Sequence, residues 1–328
     1  MRALVLAAGL GTRLRPLTFH LGKPLLPVGR ILPGPAGSAA PTTVAGNTLE
    51  VLARAGCDAI ALNLHHLADQ IPAHFGSEQF GVPLHYRFEP EILGTLGPLA
   101  ALRTFLEKDD DFLLVNGDSL CLWPLAEMLA HHRERGADAT LLVLGSEPDA
   151  KLGGGLGLDE NGEIVQLRQL PARRAPARRV DFAGCHVISG ELLREVPAGP
   201  GDIVEGLYQK ILARGGRLES FPLTAPWHDL GDPRRYLAAI ADPALGRGNS
   251  ISSLAQLGPR VRLERSVVAR EAQLGIAAEL RFSVLCAGAK VGDGARLDQV
   301  IVAPGAEVAA GAELSQVIVL PEQPPHRF

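Results

Sequence analysis

The chain has 328 residues, enough for two domains or for one domain with an appended module. Its hydrophobic content of 46% supplies a core, while a net charge of −4 and a pI near 6.2 give no overall pull toward nucleic acid or an anionic membrane. Cys57, Cys121, Cys185 and Cys286 are widely spaced with no C-x-x-C pair, which argues against a zinc site or disulfide framework and for buried thiols in the cytoplasm. The N-terminal apolar run is too short for a signal segment, and no stretch approaches the ~18 apolar residues of a membrane span.

The chain opens on an apolar run, Ala3 to Ala8, followed by Gly9-Leu10-Gly11 and then by Arg13, Arg15 and Lys23. This reads as a buried strand feeding a glycine loop, whose backbone N–H groups can approach a phosphate that a Cβ would hold away. A plain strand-to-turn reading of the glycines stands beside it, and the cations favour the anion loop. Leu14 replaces the third glycine of a dinucleotide fingerprint, and no Gly-Lys-Ser/Thr follows as in a P-loop. Segment 31–46 is rich in Pro, Gly, Ala and Thr and is expected to be an inserted surface loop.

From Met1 to Asp242, strand-like runs (58–64, 82–88, 112–115, 137–144) alternate with helix-like ones (48–55, 96–107, 125–135). The alternation predicts an α/β domain with a largely parallel sheet. Phe112 to Val115 leads into Asn116-Gly117-Asp118, which puts a carboxylate at a strand's carboxyl end, where open α/β sheets place ligands. Asp118 suits a magnesium ion, which one or two carboxylates usually hold together with substrate phosphates, and it also suits the start of a turn. The adjacent pairs His65-His66 and His131-His132 point apart on a strand or helix, so solvated or packing roles are expected for them. Gly153 to Gly157 suggests a flexible backbone, and Arg173 to Arg179 either adds positive charge for a phosphate or forms a solvated loop.

Residues 243–250 are an expected linker, and beyond them a 17-residue period appears. Leu257, Leu274, Val291 and Val308 form one column, Leu263, Leu280, Leu297 and Leu314 a second, and Val268, Leu285, Val302 and Val319 a third. Ala255, Ala272, Ala289 and Ala306 add a fourth. Such hexapeptide-type coils, with one shortened side, stack so that each column becomes a line of core. The module is expected over 251–320, with a tail over 321–328, and serves oligomerisation, regulation or plain stabilisation. Acyltransferases use similar coils with a catalytic histidine, and 249–322 contains none.

The run Leu6-Ala7-Ala8-Gly9-Leu10-Gly11-Thr12-Arg13-Leu14-Arg15-Pro16-Leu17-Thr18, followed by Lys23-Pro24-Leu25-Leu26-Pro27-Val28, resembles the signature of the sugar-1-phosphate nucleotidylyltransferases. Leu93-Gly94-Thr95-Leu96-Gly97, Asn116-Gly117-Asp118 and Trp227-His228-Asp229-Leu230-Gly231-Asp232-Pro233 are similar to three further motifs of that family. The resemblance implies a Rossmann-like nucleotidyltransferase domain with a mixed, mostly parallel sheet over 1–242, followed by a short left-handed parallel β-helix. It implies transfer of a nucleoside monophosphate from an NTP to a sugar 1-phosphate with release of pyrophosphate; cysteine usage, charge and the open end of the coils add the expectation of a cytoplasmic homo-oligomer with no nucleic acid or membrane partner.

By the same resemblance Arg13 and Lys23 are the catalytic cations, on the β- and γ-phosphates and on the α-phosphate respectively. Leu6, Ala7, Ala8, Gly9, Gly11, Thr12, Arg13, Gly94 and Thr95 bind the nucleotide, and Asp118 and Asp229 hold Mg²⁺. Glu91, Gly155, Arg168 and Gly184 lie on the sugar-phosphate side. The chain departs from the family at Leu170, where many relatives have a phosphate-gripping lysine, and at Phe182, where many have an asparagine. The segment 93–99 leans toward the mannose-1-phosphate guanylyltransferase-like branch. Thymidylyl- and uridylyltransferases of glucose phosphates share nearly every motif, and Leu170 and Phe182 keep open a non-catalytic regulator that binds a nucleotide sugar.

Overall fold

A computed structural model describes residues 1–32, 41–144, 155–245 and 248–328. The apolar runs form β1 (Arg2–Leu6), β2 (Ala59–Leu64), β3 (Val82–Phe88), β4 (Asp111–Asn116), β5 (Ala139–Leu144), β6 (Arg178–Ser189) and β7 (Leu218–Leu223). Their order across the sheet is β3–β2–β1–β4–β6–β5–β7. Only β6 runs against its neighbours in that order, so the sheet is mixed and mostly parallel as expected. The chain leaves β1 toward β2 and later returns to β1's other side as β4, and this reversal opens a crevice at the carboxyl ends of both strands.

The main helices are α1 (Val44–Arg54), α2 (Leu125–Arg135) and α3 (Pro233–Ala241). The expected insertion is too long at its carboxyl end. Thr42 and Thr43 form a short strand, and the Thr43 hydroxyl caps α1 by accepting the Gly46 amide at 3.0 Å. Gly46 sits so tightly in that turn that a Cβ would lie 2.4 Å from Thr42 Oγ1. Residues 33–40 of the segment lie outside the described residues, as do Gly153, Gly154 and residues 246–247 of the expected linker. The expected helix over 96–107 is two pieces, Gly97–Ala101 and Arg103–Leu106, broken where Leu102 leaves helical geometry. The end of the expected flexible glycine run is not flexible backbone: Leu156, Gly157 and Leu158 form a buried strand against β6.

The carboxyl-terminal columns are successive partners in parallel ladders. Leu257, Leu274, Val291 and Val308 pair in register, as do Leu263, Leu280, Leu297 and Leu314, and Val268, Leu285, Val302 and Val319. These strands fit a β-helix, and one core joins their aliphatic residues to Leu237 of α3 and to Leu14, Leu17 and Leu26 of the loop after β1. The stack therefore packs directly on the segment that carries Arg13 and Lys23. The tail is ordered, with His326–Arg327 pairing antiparallel to Val317 and Ile318. The four cysteines are free and buried. Among the described residues no helix is long and apolar enough to cross a membrane.

Candidate active site

At the crevice, β1 ends at Leu6 and the chain turns through Ala7 to Gly11. Gly11 has φ +59, and a Cβ there would lie 2.8 Å from Thr18 Cγ2, so the turn requires glycine. Thr18 donates its hydroxyl to the Gly11 carbonyl at 2.9 Å and ties the loop to the following segment. A pocket of about 200 Å³ results, lined by Leu6, Ala7, Gly9, Gly11, Thr12, Arg13, Lys23, Gly117, Asp118 and Gly231. Ala8 is buried beside it and is not part of the lining.

Residues far apart in sequence converge here for a readable reason. The strand Ser119–Cys121 pairs antiparallel with Trp227–Asp229, and the register sets Asp229 opposite Ser119 and so beside Asp118. Lys23 is 8% exposed, and its Nζ lies 2.8 Å from Asp118 Oδ2 and 3.8 Å from Asp229 Oδ1. Arg13 Nη2 lies 3.8 Å from Asp229 Oδ2, and a Cβ at Gly231 would come within 2.5 Å of that guanidinium nitrogen. Two carboxylates bracketed by cations face an open glycine loop, an arrangement suited to polyphosphate and to an oxygen-ligated cation.

Sequence reasoning misses two functional groups. Arg235, on α3, donates to Asp229 Oδ2 at 2.7 Å, and its Nε lies 3.3 Å from Asp232 Oδ2. Asp232 also caps α3 by accepting the Arg235 amide at 2.9 Å. An aspartate placed before Pro233 and three residues ahead of Arg235 is the signal that could have found the pair. The second is Glu89, buried to 1% exposure at the end of β3. Asn63 Oδ1 accepts the Ala7 amide at 2.9 Å, Asn63 Nδ2 donates to Glu89 Oε1 at 2.9 Å, and Glu89 Oε2 accepts the Leu93 amide at 3.1 Å. This buried relay ties the glycine loop to the segment 93–97.

Gly94 and Thr95 are not brought to the first pocket. Gly94 has φ +71 and packs against Gly201, whose oxygen would lie 2.4 Å from an added Cβ, and Thr95 Oγ1 accepts the Ile203 amide at 2.9 Å. Thr95 lines a second pocket of about 290 Å³ with Leu6, Asn116, Arg168, Asp181, Phe182 and His186. Leu6 is common to both pockets, so they form two ends of one cleft across β1 and β4. Arg168 has φ +53 and pairs with Asp202 at 2.9 Å at this second end. Gly155 accepts the Arg168 amide, and Gly184 packs on Asn116 and Ser119. Glu91 is exposed and lines neither pocket.

Phe182 stacks on His186 at 4.3 Å between centroids, and His186 shares a 2.8 Å hydrogen bond with the Tyr208 hydroxyl. Burial pushes His186 down to about 3 and Tyr208 well above its usual range, so both stay neutral. Leu170 packs on the apolar core beneath. Arg173 and Arg174 pair with Glu163 and Asp159, Arg179 bonds Gln166, and no arginine of the run lines either pocket. The histidine pairs do point apart: His65 bonds the Glu89 carbonyl and His66 the Thr18 carbonyl, whereas His132 bonds Thr140 and His131 lies near Glu219.

The family model for nucleotidyl transferases matches residues 2–244. The chain belongs to this family. It is 30% identical over 248 residues to the mannose-1-phosphate guanyltransferase of Emericella nidulans, covering 72% of this chain and 62% of that protein. It is 31% identical over 253 residues to the UTP–glucose-1-phosphate uridylyltransferase of Synechocystis sp., covering 73% and 62%. The aligned part thus spans under two thirds of these curated relatives. Among solved structures, HddC from Yersinia pseudotuberculosis superposes with a TM-score of 0.58 at 20% identity, over 73% of this chain and 97% of that one, which shows a shared fold over that part.

Proposed function

We propose that the chain transfers a nucleoside monophosphate from an NTP to a sugar 1-phosphate, giving a nucleotide sugar and pyrophosphate, with mannose-1-phosphate guanylyltransferase-like specificity as the first choice. The observation that carries the reading is Lys23, buried and 2.8 Å from Asp118, at the mouth of the glycine loop and within 4 Å of Asp229. In this reading the first pocket takes the triphosphate and the second the acceptor sugar. Leu6, Ala7, Gly9, Gly11 and Thr12 cradle the nucleotide. Arg168 faces the acceptor, with Gly155 supporting Arg168 and Gly184 packed on Asn116 of the pocket wall.

Attack by an acceptor phosphate oxygen on the α-phosphorus needs no covalent enzyme intermediate, so the protein's work is to hold two mutually repelling anions in line. Lys23 steadies the α-phosphate and Arg13 the leaving pyrophosphate, where charge develops. Asp118 and Asp229 would hold a magnesium ion: Lys23 Nζ lies within 4 Å of both carboxylates, which brings them to one place, and Asp118 lines the first pocket. When bound, that ion neutralises phosphate charge and orients the leaving group. Arg235 holds Asp229 in place from behind.

The chain divides in this reading into a transferase domain over 1–242, a linker over 243–250, a left-handed β-helix over 251–320 and a tail over 321–328. The β-helix offers an assembly surface for a homo-oligomer, and the buried free thiols support a cytoplasmic setting. Uridylyl or thymidylyl transfer to glucose 1-phosphate is the nearest alternative, supported by the Synechocystis relative. A nucleotide-sugar-binding regulator is the second reading, favoured by Leu170 turned into the core and Phe182 on the pocket wall. Pyrophosphate release measured across NTPs and sugar 1-phosphates decides among them. Release with one pair supports catalysis, and silence with every pair alongside tight nucleotide-sugar binding supports the regulator.

A further inference from the structure

The second pocket changes character across the sheet. Leu6 and Asn116 border it at the ends of β1 and β4, on the side of the first pocket. Phe182 and His186 on β6 stand two strands from β1, and Leu141 on β5 stands three. At strand spacing that is about 10–14 Å. An acceptor whose phosphate reaches the first pocket therefore turns the part of its ring farthest from C1 toward this far wall. The wall is apolar: Leu141 and Leu156 are buried, and Phe182 and Val204 pack on the same core. Its cation is committed, since Arg168 pairs with Asp202 at 2.9 Å. Thr95, Asn116 and Asp181 also line the pocket and can serve ring hydroxyls.

A bulge in β6 builds the aromatic part of that wall. Phe182 pairs with Val143 and His186 with Leu141, so Ala183, Gly184 and Cys185 stand against Leu142 alone. Gly184 carries the irregularity at φ +84. Residues four apart on a regular strand are separated by about 13 Å, yet here the Phe182 and His186 rings stack at 4.3 Å. Tyr208 is fully buried, and His186 Nδ1, at 2.8 Å, is its hydroxyl's one partner among the described residues. A buried phenol gives its proton to the acceptor it has, so the neutral imidazole keeps its own proton on Nε2. His186 thus offers the pocket a hydrogen-bond donor without a charge.

We propose that the acceptor is a 6-deoxyhexose 1-phosphate, its methyl group seated on Phe182, Leu141 and Leu156 and one of its ring hydroxyls accepting from His186 Nε2. This assignment rests on the transferase reading of the cleft and narrows its acceptor. A hydroxyl on C6 would leave water for apolar side chains, which costs free energy unless a hydrogen bond replaces the one lost. Discrimination of that kind by an apolar pocket amounts to about 10–200-fold.

The test measures kcat/KM for pyrophosphate release with two matched pairs of acceptors across the NTPs. The pairs are mannose 1-phosphate against 6-deoxymannose 1-phosphate, and glucose 1-phosphate against 6-deoxyglucose 1-phosphate. In the better pair the deoxy sugar is expected to lead by about tenfold or more. Phe182→Asn is expected to bring that ratio below about twofold, and Phe182→Leu, which keeps an apolar wall, to retain it. The ratio is internal to one preparation, so a variant that folds only in part still reads it. Tyr208→Phe frees the imidazole proton and is expected to raise KM about fivefold for both members of a pair with their ratio unchanged; an unchanged KM overturns the donor role of His186. A hydroxylated sugar that matches or beats its deoxy partner in both pairs overturns the proposal and leaves the transferase reading standing. A ratio that Phe182→Asn leaves untouched overturns the assignment to this wall. Silence with all the acceptors and every NTP overturns the transferase reading instead. Calorimetry with nucleotide sugars carrying the same sugars then decides the pocket: tighter binding of the deoxy members upholds it, and equal affinities overturn it.

Discussion

Replacing Lys23 by Met keeps the length and apolar stem of the side chain and removes its charge. Removing one partner of a fully buried ion pair costs about 3–5 kcal/mol, because the other charge is left stranded. Asp118 is not stranded: its side chain is 43% exposed, and Asp229 keeps its 2.7 Å contact with Arg235. The stability loss should therefore be nearer 1–2 kcal/mol, toward the range of half-exposed pairs. For a chain of this size that lowers Tm by only a few degrees. The effect on chemistry is separate and larger, since a preorganised donor aimed at developing charge is worth about 10²–10³ in turnover. Differential scanning calorimetry and single-turnover pyrophosphate release, run on the same preparation with the best substrate pair, read the two quantities independently. A variant that loses the expected few degrees but stays within about tenfold of native turnover would falsify the role given to Lys23.

Asp118→Asn should weaken Mn²⁺ binding, followed by electron paramagnetic resonance in the free chain, at least tenfold and lower turnover about a hundredfold; unchanged Mn²⁺ affinity removes Asp118 from the metal site. Gly94→Ala sets a Cβ 2.4 Å from the Gly201 carbonyl at a backbone of φ +71, so urea unfolding should show a loss of about 2 kcal/mol or more. Leu280→Ala removes a fully buried column residue and should cost about 2–5 kcal/mol in the same assay. His186 titrates near 6.5 when unfolded but only at about 3 when folded. The unfolded chain alone takes up that proton between these values, so its contribution to stability is intact above pH 6.5 and erodes as pH falls. Between pH 7.5 and 5.5 the native chain should lose more stability than His186→Gln, and equal losses refute the buried neutral histidine.

The strands and the coil period were legible because each rests on side-chain pattern: continuous apolar runs for the central sheet, aliphatic columns seventeen apart for the stack. β6 was hidden because it begins Arg178-Arg179, and the charges that make it read as loop point outward, Arg179 to Gln166. Thr42 to Gly46 read as insertion because Thr and Gly are loop-like in composition, whereas here they build a cap and a tight first turn. Asp118, Asp229, Arg13 and Lys23 could be named from local motifs, but their meeting depends on one strand register that no local pattern encodes. Which pocket Thr95 lines is hidden for the same reason: the place of Gly94 and Thr95 is set by Gly201 and Ile203, about a hundred residues away.

The Ala7–Asn63–Glu89–Leu93 relay has a consequence for when the two ends of the cleft can open. Asn63 uses both faces of one amide, so a rotation that releases the glycine loop also releases Glu89, and with it the loop that seats Thr95. Neither loop can fray alone without leaving a buried polar group bare, which costs more than either hydrogen bond contributes. The amide protons of Ala7 and Leu93, eighty-six residues apart, should accordingly exchange with solvent at one shared protection level, and Asn63→Leu should let them drift apart.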